Sequence, residues 1–269
     1  MHRRHLLVPC QSTDGLSVIR IKGYPASMYR FRTLPDDDPI LDSSPVLRIL
    51  TFLKGHFDQN PKGIPLTKTG AFRRVMVAEA ITTVRFPDWT EQEIYHGFNK
   101  IRVADEHHFE PLWILHSVLR DMRMVRPYVG HLRLTKAGKD LFSDRFRMFD
   151  FVTRTLLFKA EEFRRAREYR NLLGNWDVWL NVIDYEARGG ITGRALTEVF
   201  YGPADPAQVY DPRVGDLYSG VLNPLVWSGL LAEDMTDGRK LVDRIYATTP
   251  LWSRYLELDP KPPRLRVVK

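Results

Sequence analysis

The 269-residue sequence holds a single cysteine, Cys10. That excludes an internal disulfide framework and any zinc cluster built on cysteines within the chain. Long hydrophobic runs are missing too, since nothing approaches the ~18 uncharged apolar residues of a membrane span. The start "MHRRHLLVPCQSTDG" has too short an apolar stretch for a secretory signal, so a cytoplasmic protein without membrane contact is expected. Phosphate loops of the GxxxxGK[ST] or GxGxxG type are absent, as are the GxSxG elbow and HExxH. "ADEHHFEPLWILH" gathers Asp105, Glu106, His107, His108, Glu110 and His116, but adjacent histidines on a helix point about 100° apart. It reads as an acidic first helical turn. The acids Asp36, Asp37 and Asp38 read as a solvated, linker-like run. These absences predict a chain that is not an enzyme, with no cofactor and no metal.

What is present is a core-forming composition, 43% hydrophobic, and an excess of base, 40 Lys and Arg against 33 Asp and Glu. The net charge of +7 is compatible with a polyanionic partner. Much of the excess lies in "MHRRH", "VIRIKGYPASMYRFR" and "KPPRLRVVK", with an arginine-rich helix "KAEEFRRAREYR" in the middle. Such segments are more often solvated faces than nucleic-acid contacts.

Patterning predicts a mainly α fold with small β elements: a helical body with winged-helix-like units and a short N-terminal β hairpin. "LSVIRIKG" and "SMYRFRTL" alternate around "GYPAS" and read as paired strands within residues 1–35. "PDDDPILDSSP" is the linker, with Ser44 as N-cap of "PVLRILTFLKGHF". Residues 109–142 run as helix, two-stranded wing and closing helix, and 213–258 repeat that grammar with "TDGR" as hairpin turn. A third relative is "VLRILTFLKGH" with "GIPLTKTGAFRRVMVAEAI". The expected divisions are a β element over 1–35, a tandem winged-helix-like region over 44–144, a helical region with a third unit over 145–260, and a basic tail over 261–269.

The sharpest question is "RLTKAGKDLF", residues 133–142. In one reading Thr135 and Gly138 open a closing helix whose Leu141 and Phe142 pack under the wing. In the other those two side chains are a plug for a partner's groove. Consecutive helical residues point about 100° apart, which predicts that both cannot face one core fully. Burying a Leu and a Phe in a groove contributes roughly 1.5–3 kcal/mol each, against about 8 kcal/mol for a micromolar complex.

Together, "VIRIKGYPASMYRFR", "PLTKTGAFRRVMVAEAI" and "LWILHSVLRDMRMVRPYVGHLRLTKAGKDLF" resemble plasmid-associated proteins of the pRiA4b ORF-3 type over about half of the chain. "GKDLF" is similar to the pentapeptide of sliding-clamp ligands in Asp140, Leu141 and Phe142, with Gly138 in the glutamine position and Lys139 after it. A basic chain of this size with such a motif resembles clamp-binding toxins of the SocA/SocB type. That resemblance implies a non-enzymatic inhibitor of DNA replication, whose partners are the sliding clamp, an antitoxin that acts as a proteolytic adaptor, and a protease. The alternative is a winged-helix DNA-binding regulator in which Arg120, Arg123, Arg126, His131 and Arg133 contact phosphates.

Overall fold

The computed structural model describes residues 8–11, 17–20, 29–97, 101–169, 172, 174–204, 211–235 and 240–258. "MHRRH", "GYPAS", "TDGR" and the 261–269 tail lie outside the described residues. The chain is mainly α with small antiparallel sheets of two or three strands, as expected. Among the described residues, no helix is long and apolar enough to cross a membrane.

The first helix, α1 (Pro45–Gln59), begins where Ser44 accepts the Leu47 N–H, the N-cap read from the sequence. Its buried Val46, Leu47, Ile49, Leu50, Leu53 and Phe57 recur at helical spacing and form one wall of the core. There follow β4 (Ile64–Pro65), α2 (Arg74–Val84), α3 (Glu91–His96), α4 (Glu110–Asp121), β5 (Val125–Tyr128), β6 (His131–Leu134) and α5 (Lys136–Leu141). The sheet order is β4-β6-β5, with Ile64 opposite Leu132 and Arg126 opposite Arg133. The segment expected to be a unit of its own thus supplies the first helices and edge strand of this one. The reason is that two-residue β4 completes its hydrogen bonds on β6.

The same connectivity returns in α8 (Trp176–Glu186), β7 (Ile191–Thr192), α9 (Gly193–Tyr201), α10 (Pro212–Leu217), a π-helical turn (Tyr218–Leu222), α11 (Asn223–Ser228), β8 (Leu231–Asp234), β9 (Ile245–Thr248) and α12 (Pro250–Tyr255). Its sheet order, β7-β9-β8, matches. Both units close with one device. In the first, Arg123 turns left-handed (φ 57°), the Met124 N–H returns to the Leu119 carbonyl, and Thr135 takes the Met124 carbonyl with its own N–H at 3.0 Å. In the second, Gly229 (φ 80°), Leu230 to Leu225, and Thr249 to Leu230 at 3.1 Å repeat it. Each threonine also caps the helix after it, accepting from Gly138 or Trp252.

Between the units run α6 (Arg145–Phe158) and α7 (Glu161–Tyr169), and α6 packs on both α1 and α11. Phe149, Leu156 and Phe163 are buried along this stretch. The acidic run before α1 is more than a solvated linker, although Asp36, Asp37 and Asp42 remain exposed. Asp36 accepts from the Arg145 and Phe146 N–H groups that open α6, Asp42 pairs with Arg145, and Asp38 pairs with Arg254 at 2.7 Å. The orphan N–H groups of a helix start and two arginines draw these carboxylates in. The N-terminal strands also pair otherwise than expected. β1 (Val8–Gln11) pairs with β2 (Ser17–Arg20), whereas β3 (Arg30–Phe31) pairs with β10 (Leu256–Glu257). The alternation marked strand-forming stretches correctly but carries no information on which edge each one meets.

A polar network ties the second unit to the first. Arg244 reaches Asp88 at 3.0 Å and Glu233 at 3.1 Å, while Tyr218 donates to Asp88 and Tyr246 to Glu233. Burial, then the nearby Asp88 charge, raises the Glu233 pKa above the usual carboxylate range.

The crowded "ADEHHFEPLWILH" segment resolves into two local pairs. Asp105 and His108 form a capping box at a 3₁₀ turn. Glu106 and His116, 1% and 4% exposed, form a buried pair, with His116 Nδ1 donating to Glu106 Oε1 at 2.6 Å. The other Glu106 oxygen accepts the Phe72 N–H at 2.6 Å, and Phe72 stacks on the imidazole. No group of three or more metal-ligating side chains occurs among the described residues. Truncation of Glu106 leaves a buried imidazole and a buried N–H unsatisfied. Glu106→Ala is therefore expected to cost about 3–5 kcal/mol, measured as a shift of the urea unfolding midpoint.

Candidate nucleic-acid interface

Basic residues matter for a partner only where they are not already used inside the chain, and the structure separates the two kinds. On α7, Arg164 meets Glu161 and Glu168 at 2.7 and 2.6 Å, and Arg165 meets Glu161 at 2.6 Å. Arg167 donates to the Gly220 carbonyl in the π turn and to the Leu157 carbonyl near the end of α6, with its guanidinium over Trp176. Burial pushes its pKa down to about 10. The arginine-rich helix noticed in the sequence is largely committed to internal contacts.

The β5–β6 hairpin is the opposite case. From Arg120 to Lys139 the sequence holds one acid, Asp121, against six Lys and Arg. Among the described residues, none of Arg120, Arg123, Arg126, Arg133, Lys136 and Lys139 has an ion-pair partner. Strand alternation sorts the hairpin into two faces. Val125 and Leu132 are buried, whereas Arg126 and Tyr128 on β5 and His131 and Arg133 on β6 point the other way. Arg126 and Arg133 both lie over the Tyr128 ring, at 5.6 and 4.4 Å from its centre. Arg133 Nε also donates to the Lys62 carbonyl at 2.8 Å, so its guanidinium is held before any ligand arrives. His131 Nδ1 donates to the Val129 carbonyl at 2.8 Å and braces the turn.

Further cations join from a neighbouring loop. The Leu66 N–H donates to the Gly130 carbonyl at the hairpin tip, and the turn that follows, from Thr67 to Ala71, carries Lys68. Arg73 and Arg74 then open α2, exposed like Lys68 and without an ion-pair partner among the described residues. On the other side, Arg126, Leu134, Thr135, Lys136 and Lys139 line a shallow groove of ≈ 390 Å³. The second unit offers no equivalent face on its described residues. Its β8 carries Glu233 and Asp234, and its Arg244 is held in the inter-unit network.

All five residues read as phosphate contacts, Arg120, Arg123, Arg126, His131 and Arg133, cluster on this hairpin and its root, with the three outer arginines exposed and the other two half-buried. The sequence reading missed Lys62, Lys68, Arg73, Arg74 and the role of Tyr128. The period-two spacing of Arg126, Tyr128, His131 and Arg133 across a two-residue turn was the signal for the last. Apart from Lys139, which lines that groove, the clamp-motif residues fall elsewhere. Lys139 and Asp140 are exposed, but Gly138 is buried against the Met124 carbonyl, which a Cβ there would strike. Leu141 and Phe142 are 4% and 3% exposed. The expectation that both cannot be buried is overturned because α5 ends at Leu141, so Phe142, at the C-cap, turns onto Phe57 of α1 at 5.6 Å while Leu141 lines the α5–α6 groove.

Residues 42–147 match the Y4jL N-terminal domain family, and residues 165–250 match the y4jL C-terminal domain family. These segments coincide closely with the two units of like connectivity. The chain is also 28% identical over 140 residues to the "Uncharacterized protein y4jL" of Sinorhizobium fredii (strain NBRC 101917 / NGR234). That alignment covers 52% of this chain and 62% of the relative, so the chain spans under two thirds of the relative's length. No solved structure matches. The buried positions of Leu141 and Phe142 predict that replacing both with Ala removes about 5 kcal/mol or more. A urea melt measures it, and exposed side chains would instead leave the midpoint nearly unmoved.

Proposed function

We propose that this chain is a DNA-binding protein built on two winged-helix units, whose contact surface is the cationic face of the β5–β6 hairpin in the first. The order helix, strand, helix, helix, hairpin with the first strand beside the last supports the winged-helix part of this reading. The observation that carries the reading is the set of cations along this hairpin that have no ion-pair partner among the described residues, with Arg133 already fixed by Tyr128 and Lys62. A protein that places Lys and Arg on phosphates gains affinity by releasing counterions, and needs no catalytic group to do so. Arg126, Arg133 and Lys68 supply the phosphate contacts in this reading, and Lys136 and Lys139 extend the surface.

Occupation of a sliding clamp by "GKDLF" would require Leu141 and Phe142 to leave the sites they fill beside Phe57 and in the α5–α6 groove. The energetic cost of vacating those sites exceeds what two such anchors contribute in a groove of roughly the same polarity. A replication-blocking toxin that acts through this motif is therefore the weaker reading, and DNA contact through the hairpin is the stronger.

Engagement of about six cations corresponds to about a thousand-fold loss of affinity for a duplex between roughly 50 and 200 mM salt, read by fluorescence anisotropy. Arg126→Ala with Arg133→Ala is expected to reduce the slope of log affinity against log salt by about 2. Arg164→Ala with Arg165→Ala removes the same charge from α7 and is expected to leave the slope unchanged. Affinity independent of salt, or equal effects of the two double variants, would contradict the proposal.

A further inference from the structure

Helix α6 carries two different faces. Its buried Met148, Phe149, Val152 and Leu156 belong to the core. A second line, Arg147, Phe151, Arg154 and Phe158, recurs at intervals of four, three and four residues, so cations and rings alternate along one side of the helix. That side lines a groove of ≈ 540 Å³, which it shares with Met124, Ala137 and Leu141. Small-molecule sites are typically about 300–1,000 Å³.

The rings are held in place while staying half-open. Phe158 packs against Tyr29, Phe31 and Trp176 at ring-centre distances of 6.0, 6.0 and 5.9 Å, and both Phe151 and Phe158 keep part of their surface free. One charge pair in the groove is committed internally. Asp150 accepts from Arg154 Nε and from the Tyr255 hydroxyl, each at 2.7 Å, and the Arg154 guanidinium lies over Phe31. The other three charges are not. Asp140, Arg147 and Lys159 line the groove, are exposed, and have no ion-pair partner among the described residues. Arg147 donates to the Asp140 carbonyl at 3.0 Å, which holds a guanidinium beside a carboxylate-bearing residue. Lys159 ends the helix, about 18 Å further along its axis.

A carboxylate only accepts hydrogen bonds and a guanidinium only donates them. Side by side they complement an edge that sets two donors next to acceptors. Guanine has that edge: its ring N–H and exocyclic amino group adjoin O6, and arginine pairs with O6 and N7. Aromatic side chains give a base a stacking face, and cations beside them take the phosphate. We infer that this groove binds a guanine nucleoside monophosphate. Asp140 and Arg147 take the base edge, Phe151 and Phe158 cover the base and sugar, and Lys159 meets the phosphate at the far end. The site shares no lining residue with the groove beside the β5–β6 hairpin, and it does not depend on DNA binding.

Titration calorimetry of the full chain with guanosine monophosphate tests this. The nucleotide is expected to bind, and inosine monophosphate, which lacks the amino group, to bind about tenfold more weakly. Guanosine and inorganic phosphate, each holding half of the recognised chemistry, are expected to bind more weakly than the nucleotide. Asp140→Asn is expected to erase the preference for the guanine base, and Lys159→Gln to weaken the nucleotide about tenfold while leaving guanosine unchanged. Both are surface changes, so the fold survives them. Ala137→Trp fills the groove and is expected to abolish binding, whereas Arg126→Ala with Arg133→Ala, on the hairpin, is expected to leave it intact. A parent chain that takes up no guanosine monophosphate at millimolar concentration overturns the inference. So does inorganic phosphate that binds as tightly as the nucleotide, or nucleotide affinity unchanged in both Asp140→Asn and Lys159→Gln.

Discussion

The carbonyl of Met124 is the point on which the first unit turns. It accepts the Thr135 N–H at 3.0 Å, the Thr135 hydroxyl reaches it at 3.1 Å, and the absent side chain of Gly138 lets α5 lie directly against it. That one contact joins the root of the hairpin to the start of the closing helix. With α5 pinned there, Phe142 falls on Phe57 and Leu141 turns inward, while β5 and β6 are left to extend away from the core. The second unit satisfies the same carbonyl position, Leu230, with Thr249. Residue 252, three beyond that threonine, is a tryptophan whose indole donates to Asp184 rather than a glycine. The joint between hairpin and closing helix is common to both units, and what differs is the chemistry each hairpin carries outward.

Charge pairing, more than charge count, separates the surfaces of this chain. Helix α7 and the β5–β6 hairpin are both rich in arginine. In the helix, Glu161 and Glu168 stand three and four residues from Arg164 and Arg165, the spacing at which side chains on a helix meet. Between Arg120 and Lys139 the single acid, Asp121, leaves the hairpin cations nothing comparable. Tyr128 adds order without neutralising charge, since a guanidinium over an aromatic face keeps its full charge and gains about 0.5–1 kcal/mol at an exposed site. An arginine held this way loses little further freedom on meeting a phosphate.

Much of this was legible from residues alone, and the part that was not has physical causes. The helices over "PVLRILTFLKGHF" and "FEPLWILHSVLRDM", the Ser44 cap and the hairpin before "TKAGKDLF" follow from periodicity and turn chemistry, which act within a few residues. Pairing of β4 with β6 spans about seventy residues, and no local pattern encodes it, so one unit was read as two. The partners of Asp42 and Asp38 in "PDDDPILDSSP", Arg145 and Arg254, lie 103 and 216 residues away, so no local pattern announces those pairings. The cationic hairpin residues were recognisable by their clustering, whereas Lys68, Arg73 and Arg74 joined them only through the Leu66 to Gly130 hydrogen bond. Burial of Phe142 hinged on where α5 stops, a single-residue boundary of the kind that patterns locate least well.

The central claim is that the β5–β6 hairpin is the surface that meets DNA, and side-chain oxidation footprinting of the free and duplex-bound protein addresses it most directly. Tyr128 is 47% exposed on the hairpin and Tyr185 is 68% exposed on α8, so each reports its own surface by the same chemistry. The account predicts that duplex DNA protects Tyr128 and the neighbouring His131 from oxidation and leaves Tyr185 at its free-state rate. Protection of Tyr185 with Tyr128 unchanged would contradict it.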